Sequence, residues 1–162
     1  AVKLVAGRVP TEASGGVTLE TIRAKAETAQ AAGLNAIVCV GETLEEREAG
    51  KALDIVLAQV AHSLPDAAAG GWLSVAYEPV WAIGTGLTAT PAQAQEVHAF
   101  IRGEVAAFDA KIASSLPILY GGSVKAANAA ELFSQPDVDG GLVGGASLVA
   151  QEFSAIAAAA AG

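Results

Sequence analysis

The chain has 162 residues, of which 52% are hydrophobic and 16% are charged, a composition typical of one globular α/β domain with a sizeable core. Its formal net charge of -8 argues against binding to nucleic acid or to an anionic lipid surface. The single cysteine, Cys39, excludes an internal disulfide and has no metal-ligand spacing with His62 or His98, so we expect no metal site. No apolar stretch is long enough to cross a bilayer and no basic leader precedes the chain, so we expect no membrane contact and a cytoplasmic location.

Short apolar runs alternate with longer helical patterns along the whole chain, which predicts about five strand-and-helix units of a parallel sheet in one domain. The predicted strands are Val2 to Ala6, Ala36 to Val40, Leu73 to Tyr77, Pro117 to Tyr120 and Gly141 to Val143. Each strand is expected to be followed by a helix. Five such units are fewer than the eight of a closed parallel barrel.

The helix boundaries are well signalled. Thr18 is the predicted start of the first helix, and Gly33 stands where a C-cap glycine belongs. Thr43 with Glu46 three residues later forms a capping-box pattern for the second helix. The run Thr90-Pro91-Ala92-Gln93 repeats that pattern with proline at the first helical position.

Glu78 is the leading candidate for chemistry. It directly follows the apolar run Leu73 to Tyr77, and Pro79 disfavours helical geometry at the residue before it. The carboxylate is therefore expected at the carboxyl end of a buried strand, where parallel barrels place their catalytic groups. A structural alternative is a buried acid that backbone donors satisfy.

The residues after Pro79 have the composition of a moving loop. Trp81 and Ile83 are apolar, whereas Gly84 and Gly86 are free to take positive φ. This pattern is typical of a lid that packs against the protein when shut and swings at its ends. An ordinary glycine loop is the alternative.

Two glycine pairs follow later strands: Gly121-Gly122 and Gly144-Gly145. A glycine pair lets the main chain approach an anion without a Cβ in the way, and a following helix directs its positive N-terminus at the same point. The loops after the last two strands of a parallel barrel are the usual phosphate site of that fold. These pairs therefore predict a local phosphate site in an acidic protein.

Four motifs in this order, within the stretch from about residue 33 to 162, resemble the bacterial triosephosphate isomerases. They are Cys-Val-Gly-Glu-Thr at 39–43, Tyr-Glu-Pro-Val-Trp-Ala-Ile-Gly-Thr-Gly at 77–86, Tyr-Gly-Gly-Ser-Val at 120–124 and Val-Gly-Gly-Ala-Ser at 143–147. The resemblance implies an α/β fold of the TIM (β/α)8-barrel family. It implies that this chain is the C-terminal part of such a barrel, from about the fourth strand onward.

The resemblance also assigns roles. Glu78 would be the base that moves a proton between adjacent carbons through an enediolate, interconverting dihydroxyacetone phosphate and glyceraldehyde 3-phosphate in glycolysis and gluconeogenesis without a cofactor. Gly84 and Ser123 would bind the phosphate of the triose phosphate substrate, and the amides of Gly144 and Gly145 would complete that site.

The resemblance implies a latch as well. Tyr120 and Ser123 would hold the lid segment, which we define as Pro79 to Ala89, when it closes. It further implies that the protein is a homo-oligomer.

Some family features are missing from the sequence. The family's Gly-His-Ser-Glu-Arg-Arg run, whose histidine polarises the substrate carbonyl, is replaced here by Arg8 to Glu12, and the family's first-strand Asn and Lys have no counterpart. His62 is expected after the end of a helix and His98 on the helix that Pro91 begins, each exposed or half-buried. A non-enzymatic phosphate-binding half-barrel, or a fragment that needs a partner to supply the missing strands, is therefore the alternative function.

Overall fold

The structure is a computed structural model that describes residues 2–5, 18–66, 71–83, 85 and 87–161, with only the backbone described for residues 2–5. Within these residues five strands form one sheet in the order of the chain, and every neighbouring pair is parallel. The strands are β1 (Val2–Val5), β2 (Ala36–Val40), β3 (Leu73–Tyr77), β4 (Ile118–Tyr120) and β5 (Gly140–Gly141). The predicted parallel α/β architecture is confirmed for the described residues.

Helices connect the strands, and two short 3₁₀ turns follow β3 and β5. The helices are α1 (Leu19–Ala31), α2 (Leu44–Glu48), α3 (Ala52–Ser63), α4 (Pro91–Phe108), α5 (Ala110–Ser115), α6 (Ala126–Phe133) and α7 (Ala150–Ala161). The 3₁₀ turns are Val80–Ala82 and Gly145–Leu148. Among the described helices, none combines the length and the apolar character that crossing a membrane requires.

The helix signals read from the sequence are present in the structure. The side chains of Thr43 and Glu46 cap each other's backbone, as do those of Thr90 and Gln93. Gly33 has φ 72°, and the N–H of the next residue reaches back 2.9 Å to the Ala29 carbonyl oxygen. These caps depend on neighbours within a few residues, which is why the sequence alone predicts them.

The prediction of one helix after Thr43 is wrong, because the chain forms α2 and then α3. Gly50, at φ 72°, ends α2, and the Lys51 N–H donates to the Glu46 carbonyl oxygen at 2.9 Å. A glycine in this conformation terminates a helix rather than continuing it.

Two predicted strands match the structure residue for residue, and the later ones shift. β4 begins at Ile118 and not at Pro117, since proline has no N–H to donate, although its carbonyl oxygen still accepts from Val75 N at 2.9 Å. β5 covers Gly140–Gly141 and not residues 141–143. Beyond it Leu142 N makes one further bond of 2.9 Å to the Tyr120 carbonyl oxygen before the chain turns away.

The register brings the carboxyl ends of the strands to one edge of the sheet. Val40 pairs with Tyr77, Tyr77 with Tyr120, and Tyr120 with Gly141. The loops that follow β2, β3, β4 and β5 therefore begin side by side.

Arg102 of α4 fixes the connection into β5. Its guanidinium lies 2.8 Å from an Asp137 carboxylate oxygen and 2.7 Å from Asp139 Oδ2. Asp139 Oδ2 also accepts from Ile118 N at 2.7 Å. These bonds hold a strand of only two residues against β4.

The prediction that His98 is exposed or half-buried is wrong, because the residue is completely buried. Its ring centroid lies 5.8 Å from that of Tyr77 and 6.4 Å from that of Tyr120, and Nδ1 lies 3.1 Å from the Asp137 carbonyl oxygen. Burial lowers the pKa of His98 to about 4. His62 is exposed as predicted, but within the last turn of α3.

Candidate active site

One cleft of about 710 Å³ opens at the carboxyl ends of β3, β4 and β5. Four of the six site residues predicted from the sequence line it: Glu78, Ser123, Gly144 and Gly145. Its other lining residues are Ile83, Gly121, Gly122, Val124, Lys125, Leu142, Val143, Ala146 and Glu152. Gly84, the fifth predicted residue, lies outside the described residues, as do Arg8 to Glu12, and Tyr120 lies just below the cleft at the end of β4.

The backbone holds Glu78 firmly in place. Its N–H donates to the Val40 carbonyl oxygen at 2.7 Å, and only 6% of the residue is exposed. On the other side, the Gly121 N–H donates to the Tyr77 carbonyl oxygen at 2.8 Å. The backbone at Glu78 is therefore fixed between the ends of β2 and β4, and the residue lines the cleft.

The pair Gly121-Gly122 provides room for side chains, and our prediction that it exposes backbone donors holds for one of the two residues. The Gly121 N–H donates to the Tyr77 carbonyl oxygen, whereas the Gly122 N–H donates to no acceptor among the described residues. A Cβ on Gly121 would lie 2.5 Å from Glu78 Cγ and 3.2 Å from its Oε1. A Cβ on Gly122 would overlap the Tyr120 hydroxyl. The first glycine pair is thus a condition for placing Glu78 and Tyr120.

The pair Gly144-Gly145 is different, because it faces open space. A Cβ at either position would meet nothing within 4 Å. Ser147 folds back so that its N–H and hydroxyl donate to the Gly144 carbonyl oxygen, at 2.9 and 2.6 Å. Within the part of the chain that the structure describes, the N–H groups of Gly144 and Gly145 donate to no acceptor. They are available to a ligand in the cleft.

Ser123 and Tyr120 both face the lid segment. The Ser123 hydroxyl donates to the Ala82 carbonyl oxygen at 2.8 Å. Burial raises the pKa of Tyr120, and the Ala89 backbone opposes that rise. The Ser123 hydroxyl therefore contacts the beginning of the segment, whereas the buried Tyr120 hydroxyl forms no hydrogen bond with the described residues.

The sequence analysis missed a buried polar cluster at the start of the lid segment, although Glu42 lies in one of the quoted motifs. Glu42 is completely buried, and its Oε1 accepts from Arg47 Nε at 2.7 Å, Trp81 Nε1 at 2.9 Å and Tyr77 Oη at 3.1 Å. The Arg47 guanidinium also lies over the Trp81 ring, 5.5 Å from its centroid. Burial and the Glu42 charge raise the pKa of Tyr77, which keeps its hydroxyl protonated as a donor.

The comparisons with known proteins agree with this geometry. The sequence profile of the family described as triosephosphate isomerase matches residues 14–160. The triosephosphate isomerase of Stenotrophomonas maltophilia (strain K279a) is 65% identical over 144 residues, which are 88% of this chain and 57% of that protein. The triosephosphate isomerase of Pseudomonas putida (strain GB-1) is 59% identical over 147 residues, which are 90% of this chain and 59% of that protein.

A solved structure of triosephosphate isomerase from Bartonella henselae superposes with a TM-score of 0.86 at 40% identity, covering all of this chain and 65% of that one. The chain therefore spans a little under two thirds of the proteins that it resembles. The fold, the cleft and a family profile that covers nearly the whole sequence all agree: the chain belongs to the triosephosphate isomerase family.

Proposed function

We propose that this chain contributes the catalytic carboxylate and the phosphate site of a triosephosphate isomerase, which interconverts dihydroxyacetone phosphate and D-glyceraldehyde 3-phosphate. The observation that carries the proposal is the shared cleft of Glu78 and the Gly144-Gly145 pair. The cleft is lined both by a nearly buried acidic residue and by backbone N–H groups that donate to no described acceptor, which supports the proposal. This is the arrangement that proton transfer on a small phosphorylated substrate requires.

In the proposed reaction Glu78 acts as the base. Its carboxylate removes a proton from the carbon next to the carbonyl, and the electron pair of that C–H bond forms the double bond of an enediolate. The π pair of the carbonyl moves onto its oxygen as the enediolate forms. Glu78 then returns the proton to the neighbouring carbon, and the hydroxyl proton passes from one oxygen of the enediolate to the other, so the aldose and ketose interconvert with no net oxidation. The amides of Gly144 and Gly145, with Ser123 and Gly84, hold the phosphate group while this takes place.

The lid segment would exclude water from the enediolate. Ser123 supports this role through its bond to the Ala82 carbonyl oxygen, and Tyr120 would join it as a latch when the lid closes. A shut lid strengthens each electrostatic contact inside the cleft by removing solvent.

The chain spans 57% of the Stenotrophomonas maltophilia protein, so the activity of the whole enzyme is part of the proposal. We propose that the chain is a single domain that corresponds to the C-terminal part of the barrel, and that the protein is a cytoplasmic homo-oligomer. One observation favours the alternative of phosphate binding without turnover: the family's histidine-containing run is replaced by Arg8 to Glu12.

A coupled turnover assay with Glu78→Gln, together with binding of 2-phosphoglycolate, tests the proposal. We expect Glu78→Gln to lose roughly 10²- to 10⁴-fold in turnover and to keep its binding, because only the base is removed. Gly145→Val should lose binding, and since a Cβ there meets nothing within 4 Å its fold should be unaffected.

Unchanged turnover in Glu78→Gln would contradict the role of Glu78, and unchanged binding in Gly145→Val would mean that the phosphate binds elsewhere. Binding in the wild type without turnover above that of Glu78→Gln would support the non-enzymatic alternative.

A further inference from the structure

Two charged side chains besides Glu78 line the cleft, and they carry opposite charges: Lys125 and Glu152. Lys125 directly precedes α6 and is exposed. Its ammonium group forms no ion pair or hydrogen bond with the described residues. Among the described residues that line the cleft it is the one cation, beside two carboxylates.

Side chains of the chain already accept from two backbone donors at the N-terminus of α6. Ala126 N donates to Glu152 Oε2 at 3.2 Å, and Lys125 N donates to Asn128 Oδ1 at 2.8 Å. The sequence predicts that the N-terminus of this helix points at the phosphate, but these two donors are occupied by side chains of the chain itself. They are therefore not available to a phosphate on this wall of the cleft.

Asn128 ties Lys125 to the rest of the site. Its Nδ2 donates to the Ser123 carbonyl oxygen at 3.1 Å while its Oδ1 accepts from Lys125 N. One side chain thus fixes the backbone at both ends of the turn from Ser123 to Lys125. The Lys125 side chain begins from a fixed point, two residues beyond Ser123.

A phosphate in this cleft would be repelled by the neighbouring carboxylates unless a cation offsets their charge. A phosphate monoester carries close to two negative charges at neutral pH. Here it would meet the charges of Glu78 and Glu152 in a chain whose net charge is -8. A positive group in the cleft offsets that repulsion, and its effect decreases as salt screens it.

We propose that Lys125 is an additional phosphate-binding residue of this cleft, whose ammonium contacts the phosphate held by the Gly144 and Gly145 amides, and that Glu152 opposes binding by its charge. This inference rests on the proposed function, because it takes the bound group to be a phosphate in the same cleft. The ligand class is a small phosphate monoester.

Calorimetric titration of the full chain with 2-phosphoglycolate at low ionic strength tests the inference. We expect Lys125→Ala to weaken binding about three- to tenfold and Lys125→Arg to retain it. Glu152→Gln should tighten binding about two- to threefold, because the glutamine oxygen can still accept from Ala126 N while the charge is gone. Raising the ionic strength to about 0.5 M should bring wild type and Lys125→Ala closer together.

Lys111→Ala and Glu131→Gln are matched controls, since each makes the same change of net charge at an exposed residue outside the cleft lining. We expect both to bind like the wild type. The affinity for 2-phosphoglycolate is expected to change in opposite directions in Lys125→Ala and Glu152→Gln. This distinguishes an effect of charge from damage to the loop, which would weaken binding in both variants.

Equal binding by wild type and Lys125→Ala would overturn this inference and leave the proposed function standing, as would weaker binding by Glu152→Gln. Absence of binding by the wild type would overturn the proposed phosphate site, and this inference with it.

Discussion

His98 lies completely buried against Tyr77 and Tyr120, the last residues of β3 and β4. Its Nδ1 faces a backbone carbonyl oxygen, and its Nε2 has no hydrogen-bond partner among the described residues. A proton on this ring would be a poorly solvated charge behind the cleft. Burial is accordingly the main cause that lowers its pKa to about 4, against the opposing effects of Asp137 and Asp139.

The stability of the protein should therefore fall in mild acid. Between the unfolded pKa of about 6.5 and the folded pKa of about 4, the unfolded chain binds a proton that the folded chain excludes. The contribution of neutral His98 to the free energy of unfolding is complete above about pH 6.5. It is lost as the pH falls toward 4, by about 1.4 kcal/mol per pH unit.

Urea unfolding of wild type and His98→Gln at two pH values, about 6.5 and 5, measures this contribution. Between these two pH values we expect the free energy of unfolding of the wild type to fall by up to about 2 kcal/mol more than that of the variant. Equal losses would show that His98 does not titrate in this way.

At the same scale, the two glycine pairs show what a sequence motif can and cannot tell. Gly-Gly after a strand predicts a backbone without Cβ atoms, and both pairs lie at the sheet edge where we placed them. Only the structure separates their roles, because the side chains that Gly121 and Gly122 accommodate come from Glu78 and Tyr120. The packing of Gly121 depends on Glu78, a tertiary neighbour that the local sequence does not specify, whereas Tyr120 is adjacent to the pair in the sequence.

Among the elements, the lid segment is anchored at its start by the Glu42 cluster and by Ser123. Trp81 contributes its indole N–H to Glu42 Oε1 at 2.9 Å, whereas Trp72 Nε1 is buried without a hydrogen-bond partner in the described chain. The two tryptophans of this sequence thus form a natural pair for comparison.

We expect Trp81→Phe to destabilise the protein by about 1 to 3 kcal/mol, since it leaves a buried carboxylate short of one donor. Trp72→Phe removes a donor that has no acceptor, so it should cost less. Chemical unfolding of both variants measures the difference, and 2-phosphoglycolate binding should weaken only in Trp81→Phe if the lid closes over the ligand. A larger loss of stability in Trp72→Phe would contradict the anchoring role of Trp81.

Element boundaries follow the same division between local and tertiary causes. Thr43, Thr90 and Gly33 were predicted correctly because their caps involve residues three or four positions away. The end of β5 was predicted incorrectly, because the pairing of this strand depends on β4 and on the contacts of Arg102 with Asp137 and Asp139. The Glu42 cluster joins residues 35 and 39 positions apart, a distance over which a sequence motif gives no geometry.

At the scale of the whole molecule, the five strands of the described residues run in chain order, so that β1 and β5 lie at the edges of this sheet. Large apolar side chains are exposed next to β5, where Leu148 is 87% exposed and Val149 and Phe153 are also accessible. Unpaired parallel edges and exposed apolar surface both favour association.

We therefore expect this chain to form dimers or larger species in solution. Leu148→Lys should shift the distribution toward monomer, because it places a charge in the exposed apolar surface. Phe108→Lys is the control for the added charge, since Phe108 is also an exposed apolar residue, 72% accessible, but lies at the end of α4. We expect it to leave the distribution unchanged. Size-exclusion chromatography with light scattering over a range of concentrations measures the effect, and a monomeric wild type would contradict it.

Hydrogen exchange into dihydroxyacetone phosphate in D₂O, followed by proton NMR, tests the central claim that Glu78 is a base facing a phosphate-bearing substrate. This reaction needs only the removal and return of a proton, so it detects the base even where complete turnover is slow. We predict that the wild-type chain accelerates exchange at the carbon next to the carbonyl, and that Glu78→Gln loses this acceleration by roughly 10²- to 10⁴-fold. Equal exchange rates with wild type, Glu78→Gln and no protein would contradict the account.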